Sequence, residues 1–207
     1  MFNTTIATQI YAKICFEATN SQKKIIENLS EYLSDDDFSR IFVLNGFAGT
    51  GKTTLIAALV AALKELRIKP VLLAPTGRAA KVLARYCGEQ ALTIHKRIYR
   101  QRTNADYESK FSLDFNREQG AVFIVDEASM LSDSTGDGAL FGSGSLLEDL
   151  VSYVRSGRGC RLILVGDSAQ LPPVGCDFSP ALDPATVSRY GEVVYGLMDE
   201  VVRQQMQ

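Results

Sequence analysis

Four short runs of aliphatic and β-branched residues recur along the chain: IFVLN (41–45), VLLA (71–74), AVFIV (121–125) and LILV (162–165). None alternates with polar residues, so neither side is left for solvent, and each run predicts a strand buried on both faces of a parallel sheet. Between the first two lies TTLIAALVAALKEL, apolar along most of its length and closed off near Pro70, which predicts a crossover helix packed on that sheet. Strand, helix and strand in this order are the βαβ unit of an α/β fold. Upstream, SQKKIIENLSEYL predicts an amphipathic helix within an N-terminal helical segment (1–38), and SDDDF ahead of the first strand predicts a turn. Residues 131–145, LSDSTGDGALFGSGS, are rich in Gly, Ser and Asp and predict a mobile loop; no internal repeat is present.

Composition narrows the class. With 207 residues, 46% of them hydrophobic and 22% charged, the chain has enough apolar material for a substantial core, and a single domain over 1–207 is expected. No stretch reaches the roughly 18 apolar residues of a membrane helix, and the N-terminus lacks a basic start leading into an apolar run, so no membrane partner and a cytoplasmic location are expected. Cys15, Cys87, Cys160 and Cys176 form no C-x-x-C pair, which suggests neither a zinc site nor a disulfide framework. The net charge of -2 argues against coating nucleic acid by bulk positive charge. Its distribution changes that picture: Arg78, Lys81, Arg85, Lys96, Arg97, Arg100 and Arg102 face only one acid, Glu89, in the same stretch. Such a segment suits a phosphate backbone, or equally a solvated helix face with a basic loop.

Directly after the first predicted strand, Gly46-Phe47-Ala48-Gly49-Thr50-Gly51-Lys52-Thr53 fits G-x-x-x-x-G-K-[ST], with Thr54 following into the predicted helix. The glycines let the backbone curl so that consecutive N–H groups and a helix N-terminus face an anion. Lys52 is then expected on the β- and γ-phosphates of a nucleotide, and the Thr53 hydroxyl on Mg²⁺. A glycine turn that merely caps a helix is the plainer alternative. The third predicted strand ends in Asp126-Glu127, where two carboxylates emerge at the C-terminal edge of a buried strand. Asp126 is expected to hold Mg²⁺ with Thr53, and Glu127 to orient and deprotonate the attacking water. Taken alone, a D-E pair is as easily a surface loop or a helix start that welcomes negative charge.

Together these parts identify an NTPase without saying what it drives. Further segments narrow the choice: Ala74-Pro75-Thr76-Gly77-Arg78-Ala79-Ala80 after the second strand, Thr93-Ile94-His95-Lys96 next, and Gly166-Asp167-Ser168-Ala169-Gln170-Leu171-Pro172-Pro173-Val174-Gly175 after the fourth. In this order, with GFAGTGKTT and VDEASM, they resemble the RecD-like superfamily 1 DNA helicases from about Gln22 to Gln204. The resemblance implies a RecA-like P-loop NTPase domain, a parallel β-sheet core flanked by helices, that uses ATP and Mg²⁺. It assigns Pro75, Thr76, Gly77, Arg78, Thr93 and His95 to contacts with single-stranded DNA, RNA not being excluded, and such contacts position a strand without reading its bases. It puts Gln170 near the γ-phosphate as part of a coupling element, and Arg203, in Val201-Val202-Arg203-Gln204, on the γ-phosphate during transfer. Gln22 matches a glutamine that recognises adenine, yet Thr19-Asn20-Ser21-Gln22 also fits a T-x-x-Q capping box. His95, the single histidine, is alternatively a core or helix-end residue.

Members of that family continue into a second RecA-like domain, which this chain lacks, and translocation needs two domains that open and close around ATP. The resemblance therefore implies a fragment that binds ATP and Mg²⁺, hydrolyses weakly alone and does not unwind. Residues 97–119 form a possible small hairpin excursion beside the DNA path. Two other readings stay open: a kinase built on the same phosphate loop, which would phosphorylate an acceptor without stimulation by DNA, and a non-catalytic nucleic-acid-binding remnant. Against the remnant, Lys52, Thr53, Asp126, Glu127 and Gln170 are all present.

Overall fold

A computed structural model of the chain describes residues 2–103, 109–133 and 141–202. Two helices, α1 (Phe2–Lys13) and α2 (Asn20–Ser34), precede the strand β1 (Ile41–Gly46) and the helix α3 (Lys52–Glu65). Next come β2 (Pro70–Ala74), α4 (Gly77–Cys87), β3 (Ala91–Thr93), the one-turn helix α5 (Ile94–Ile98), β4 (Tyr99–Thr103) and β5 (Ser109–Leu113). The remainder comprises β6 (Val122–Val125), α6 (Leu146–Ser156), β7 (Arg161–Gly166), a short α7 (Pro184–Val187) and β8 (Val193–Met198).

Six strands form one sheet in the order β3-β2-β6-β7-β1-β8, every neighbouring pair parallel. The four apolar runs of the sequence are β1, β2, β6 and β7, the inner strands, and their alternate residues explain the two cores. Ile41, Val43, Leu73, Phe123, Val125, Leu162 and Leu164 point to one face and pack with α5, α6 and α7. Phe42, Leu44, Leu72, Val122, Ile124, Ile163 and Val165 point to the other and pack with α1 to α4. Period-two side chains on a strand covered on both sides leave no position for a polar residue until the strand ends. This is the α/β architecture expected from the strand runs.

The outer strands β3 and β8 were not legible from the pattern. β3 has three half-buried residues, and β8 (VVYGLM) mixes exposed Tyr195 and Leu197 with buried Gly196 and Met198. Residues 97–119 contain the antiparallel hairpin β4–β5, in which Tyr99 pairs with Leu113. Of the 131–145 segment, 134–140 lie outside the described residues; on its far side Phe141 stacks on Phe111 with ring centroids 4.5 Å apart, and Ser145 caps α6 by accepting from Glu148 N.

Because all six strands run the same way, the loops that follow β1, β2, β3, β6, β7 and β8 leave at one edge of the sheet. That is where open α/β sheets collect ligands. Among the described residues, every site residue named from the sequence except Gln22 lies at or after the end of one of these strands.

Candidate functional site

The loop between β1 and α3 turns through Gly51 in the left-handed region (φ 87°), immediately before Lys52 opens the helix. A side chain at this position would be strained there, and its Cβ would lie 2.8 Å from Gln22 Nε2 and 3.3 Å from Val202 Cγ2, so glycine is required by both backbone and space. Phe47, Ala48, Gly49 and Thr54 are exposed, whereas Gly51, Lys52 and Thr53 are half-buried. Thr50 is buried and its hydroxyl donates to Phe47 O at 2.8 Å, so this side chain braces the turn from inside.

Lys52 folds back over the loop. Its ammonium donates to the carbonyls of Gly46 and of Phe47, the latter at 2.9 Å, and lies 3.9 Å from the carboxylate of buried Asp167. Partial burial holds its pKa below the usual lysine value, opposed by the charges of Asp167 and Asp126. Two carboxylates follow β6. Burial raises the pKa of Asp126, against a hydrogen bond from the Glu127 backbone and the charge of Lys52. Burial also raises Glu127, Asp126 adds to the shift by like-charge repulsion, and Arg78 opposes it. Glu127 sits in the left-handed region (φ 53°), a strained conformation for a non-glycine residue of the kind that gathers at functional sites. Lys52, Asp126, Glu127 and Asp167 thus share one electrostatic neighbourhood, drawn from three strand ends.

Gln170 is exposed, with Oε1 3.5 Å from the hydroxyl of Ser129 in the 3-10 turn Ala128–Met130 that follows Glu127. The turn comes so close to β7 that a Cβ on Gly166 would lie 3.0 Å from Ser129 N. Gln22 is buried, and its carboxamide is engaged at both ends: Oε1 accepts from Thr19 N and Nε2 donates to Thr50 O, each at 3.0 Å. The capping box is complete, with Gln22 N donating to Thr19 Oγ1 at 3.2 Å. Gln22 therefore ties α2 to the phosphate loop. From the opposite side Val202 N donates to Gly49 O at 3.0 Å, so the segment leaving β8 is bonded to the same loop. Arg203 lies outside the described residues.

The residues assigned to strand contact gather at the ends of β2 and β3. Gly77 and Arg78 are exposed and Pro75 half-buried. Thr76 and Thr93 cap α4 and α5 by accepting from Ala79 N and Lys96 N at 3.2 Å, which leaves each hydroxyl proton free to donate elsewhere. His95 is half-buried between Tyr99 and Phe141 (centroids 5.6 and 5.0 Å), and burial lowers its pKa. These contacts match the helix-end packing role that the sequence left open for it.

Sequence reasoning missed Asn45, Ser129, Ser168 and Val202. Ser129, Ser168 and Val202 lay inside quoted motifs without a role, and Asn45 left a signal as the polar residue closing an otherwise apolar run. Among the described residues no group of three or more His, Cys, Asp or Glu side chains is arranged to hold a metal ion. A magnesium ion bound with a nucleotide does not need one, since it keeps waters and takes one or two protein oxygens beside the phosphates. One hydroxyl, Thr53, and one carboxylate, Asp126, fit that donor set. No described helix is long and apolar enough to cross a membrane.

A family model described as an AAA domain matches residues 17–207. The ATP-dependent RecD2 DNA helicase of Deinococcus radiodurans is 30% identical over 154 residues, covering 74% of this chain and 19% of that protein. The RecBCD enzyme subunit RecD of Mycobacterium tuberculosis is 33% identical over 201 residues, covering 79% of this chain and 32% of the relative. The crystal structure of a Pif1 helicase from Bacteroides, in complex with ADP-AlF3 and ssDNA, shares the fold with a TM-score of 0.57 at 19% identity, over 92% of this chain and 44% of that one. The chain thus spans about a fifth of the first of these relatives and about a third of the second. The chain belongs to the AAA domain family, and its homologues at about 30% identity are RecD-like superfamily 1 DNA helicases, which it matches over part of their length.

Proposed function

We propose that this chain binds ATP with Mg²⁺ at the end of β1 and hydrolyses it as the motor domain of a DNA helicase or translocase, with single-stranded DNA passing the ends of β2 and β3. The observation that carries this reading is the gathering of Lys52, Asp126 and Asp167 from three separate strand ends into one charged notch beside a glycine loop. The relatives support it by name, one an ATP-dependent DNA helicase and another solved with a nucleotide complex and ssDNA.

In this mechanism the backbone from Gly46 through Thr54 cradles the phosphates, and Lys52 exchanges the carbonyls of Gly46 and Phe47 for phosphate oxygens. Thr53 and Asp126 would hold the magnesium, which when bound would neutralise phosphate charge. Glu127 takes the proton of the attacking water; its raised pKa makes it a stronger base than a solvated glutamate. Gln170 senses the γ-phosphate, with Arg203 adding positive charge there. Gln22 acts on the nucleotide through Thr50, being occupied at both ends of its carboxamide. Pro75, Thr76, Gly77, Arg78, Thr93 and His95 contact the strand, with the Thr76 and Thr93 protons donated to phosphates and Arg78 pairing with one. The full activity is proposed for a protein that supplies a second RecA-like domain in cis.

Nucleotide-dependent thermal stabilisation tests the site. MgATP at a hundredfold excess over its Kd should stabilise the parent by about 2.7 kcal/mol. Lys52→Ala should abolish that shift, and an unchanged shift in the variant would overturn the phosphate cradle. For the strand, Arg78→Ala should reduce the salt dependence of ssDNA binding by about 0.7 in the slope of log K against log salt. Equal slopes in parent and variant would remove Arg78 from the path.

A further inference from the structure

We propose that Asn45 is a positioning residue that clamps the Asp167–Gln170 loop to the root of the phosphate loop and thereby sets the preference for a nucleoside triphosphate over a diphosphate. This rests on the nucleotide site proposed above and gives it a determinant that none of the sequence motifs contains.

Asn45 is the last residue of β1 before Gly46, and it is only 5% exposed. A buried carboxamide is costly unless its donors and its acceptor are satisfied. Here they are satisfied from the loop after β7 and from within β8. Nδ2 donates to Ser168 Oγ at 2.8 Å and to Tyr195 Oη, in β8, at 3.0 Å. Oδ1 accepts from Ser168 N at 3.0 Å. Two bonds from one planar group to the main chain and side chain of a single residue fix both the position and the orientation of that residue. No single bond does so.

Ser168 is the residue so fixed, and its neighbours have the most to do with the phosphates. Asp167, one residue before, lies 3.9 Å from the Lys52 ammonium, and its Oδ1 accepts from Ala169 N at 2.9 Å. Gln170, two residues after, reaches Ser129 beside Glu127, and Gln170 N donates to Asp167 O at 3.1 Å. The loop is thus a small self-bonded turn, and the Asn45 side chain attaches it to β1. The α- and β-phosphates would meet mainly the backbone of the phosphate loop, to which the Asn45 side chain makes none of its hydrogen bonds. A third phosphate, held by Lys52, would come toward the groups that Ser168 carries on either side, since Asp167 lies 3.9 Å from that ammonium. Loosening the clamp should therefore weaken triphosphate binding and spare diphosphate binding, whereas a general loss of folding weakens both alike.

The test is competition of MgATPγS and MgADP against a fluorescent ADP analogue on the full chain, with thermal melts alongside. Asn45→Ala should narrow the ATPγS-to-ADP affinity ratio by about tenfold, the scale of one or two buried hydrogen bonds. Ser168→Ala, which keeps the main-chain bond, should narrow it by about threefold. Tyr195→Phe, on the far side of the clamp, should leave the ratio as it is. An unchanged ratio in Asn45→Ala, or equal losses for both nucleotides, overturns the proposal. Should Asn45→Ala fail to fold, Ser168→Ala decides by the same measure, an unchanged ratio again overturning it. A parent chain that binds neither nucleotide overturns the nucleotide site itself, and the clamp with it.

Discussion

Burial holds the carboxyls of Asp126 and Glu127 above their ordinary values of 3.8 and 4.5. Each therefore binds its proton more tightly folded than unfolded. Between the ordinary value and the raised one the folded chain carries more protons, so the stability these groups contribute is present at low pH and is lost as pH rises through the folded pKa. Asp126→Asn removes the charge that burial penalises. The nucleotide-free variant should melt higher than the parent near neutral pH, with an advantage that shrinks toward about pH 4, and it should lose magnesium-dependent nucleotide stabilisation. Melting curves across that range check it, and a parent that stays ahead at neutral pH would show that the attraction of Lys52 outweighs burial. At this scale the sequence was legible wherever chemistry demands a fixed local spacing: Lys52 and Thr53 after the glycines, Asp126 and Glu127 after a strand. Asn45 was not legible in this way, because its meaning comes from Ser168, 123 residues away, and a one-dimensional pattern carries no record of that contact.

Elements were legible in proportion to how completely they are buried. The inner strands announce themselves because both faces exclude water, while β3 and β8 lie at the edges, where mixed burial erases the pattern. Helix α2 was legible for two reasons, its amphipathic spacing and its T-x-x-Q start, and both cap bonds are made. What the sequence could not divide was Gln22 between cap and nucleotide. In the fold it serves the cap with its oxygen and the phosphate loop with its nitrogen. Thr19→Ala removes the hydroxyl half of the cap and should cost about 1 kcal/mol in urea unfolding. The bond from Gln22 to Thr50 survives that change, so nucleotide affinity at saturating stability should stay close to the parent's. A large loss of affinity would mean that the helix start itself tunes the loop.

Across the whole molecule, two apolar cores lie on opposite faces of one sheet and share its inner strands residue by residue. Neither can come apart without exposing the back of the other. Native-state hydrogen exchange should therefore find the amides of Val43, Ile124 and Ile163 opening at a single free energy, that of global unfolding. Distinct values for residues facing the two cores would split the domain into separate cooperative units. The sheet also gives the β1, β2, β3, β6 and β7 ends a common edge, so the proposed strand contacts and the proposed nucleotide site occupy neighbouring loops without any long-range relay. One main-chain bond extends this economy past the sheet. Val202 N–H holds Gly49 O, so the polypeptide leaving the sheet is stitched to the rim of the notch. Displacing the backbone at 202 must either drag that peptide or let it go, which makes the chain's departure a drawstring on the phosphate cradle.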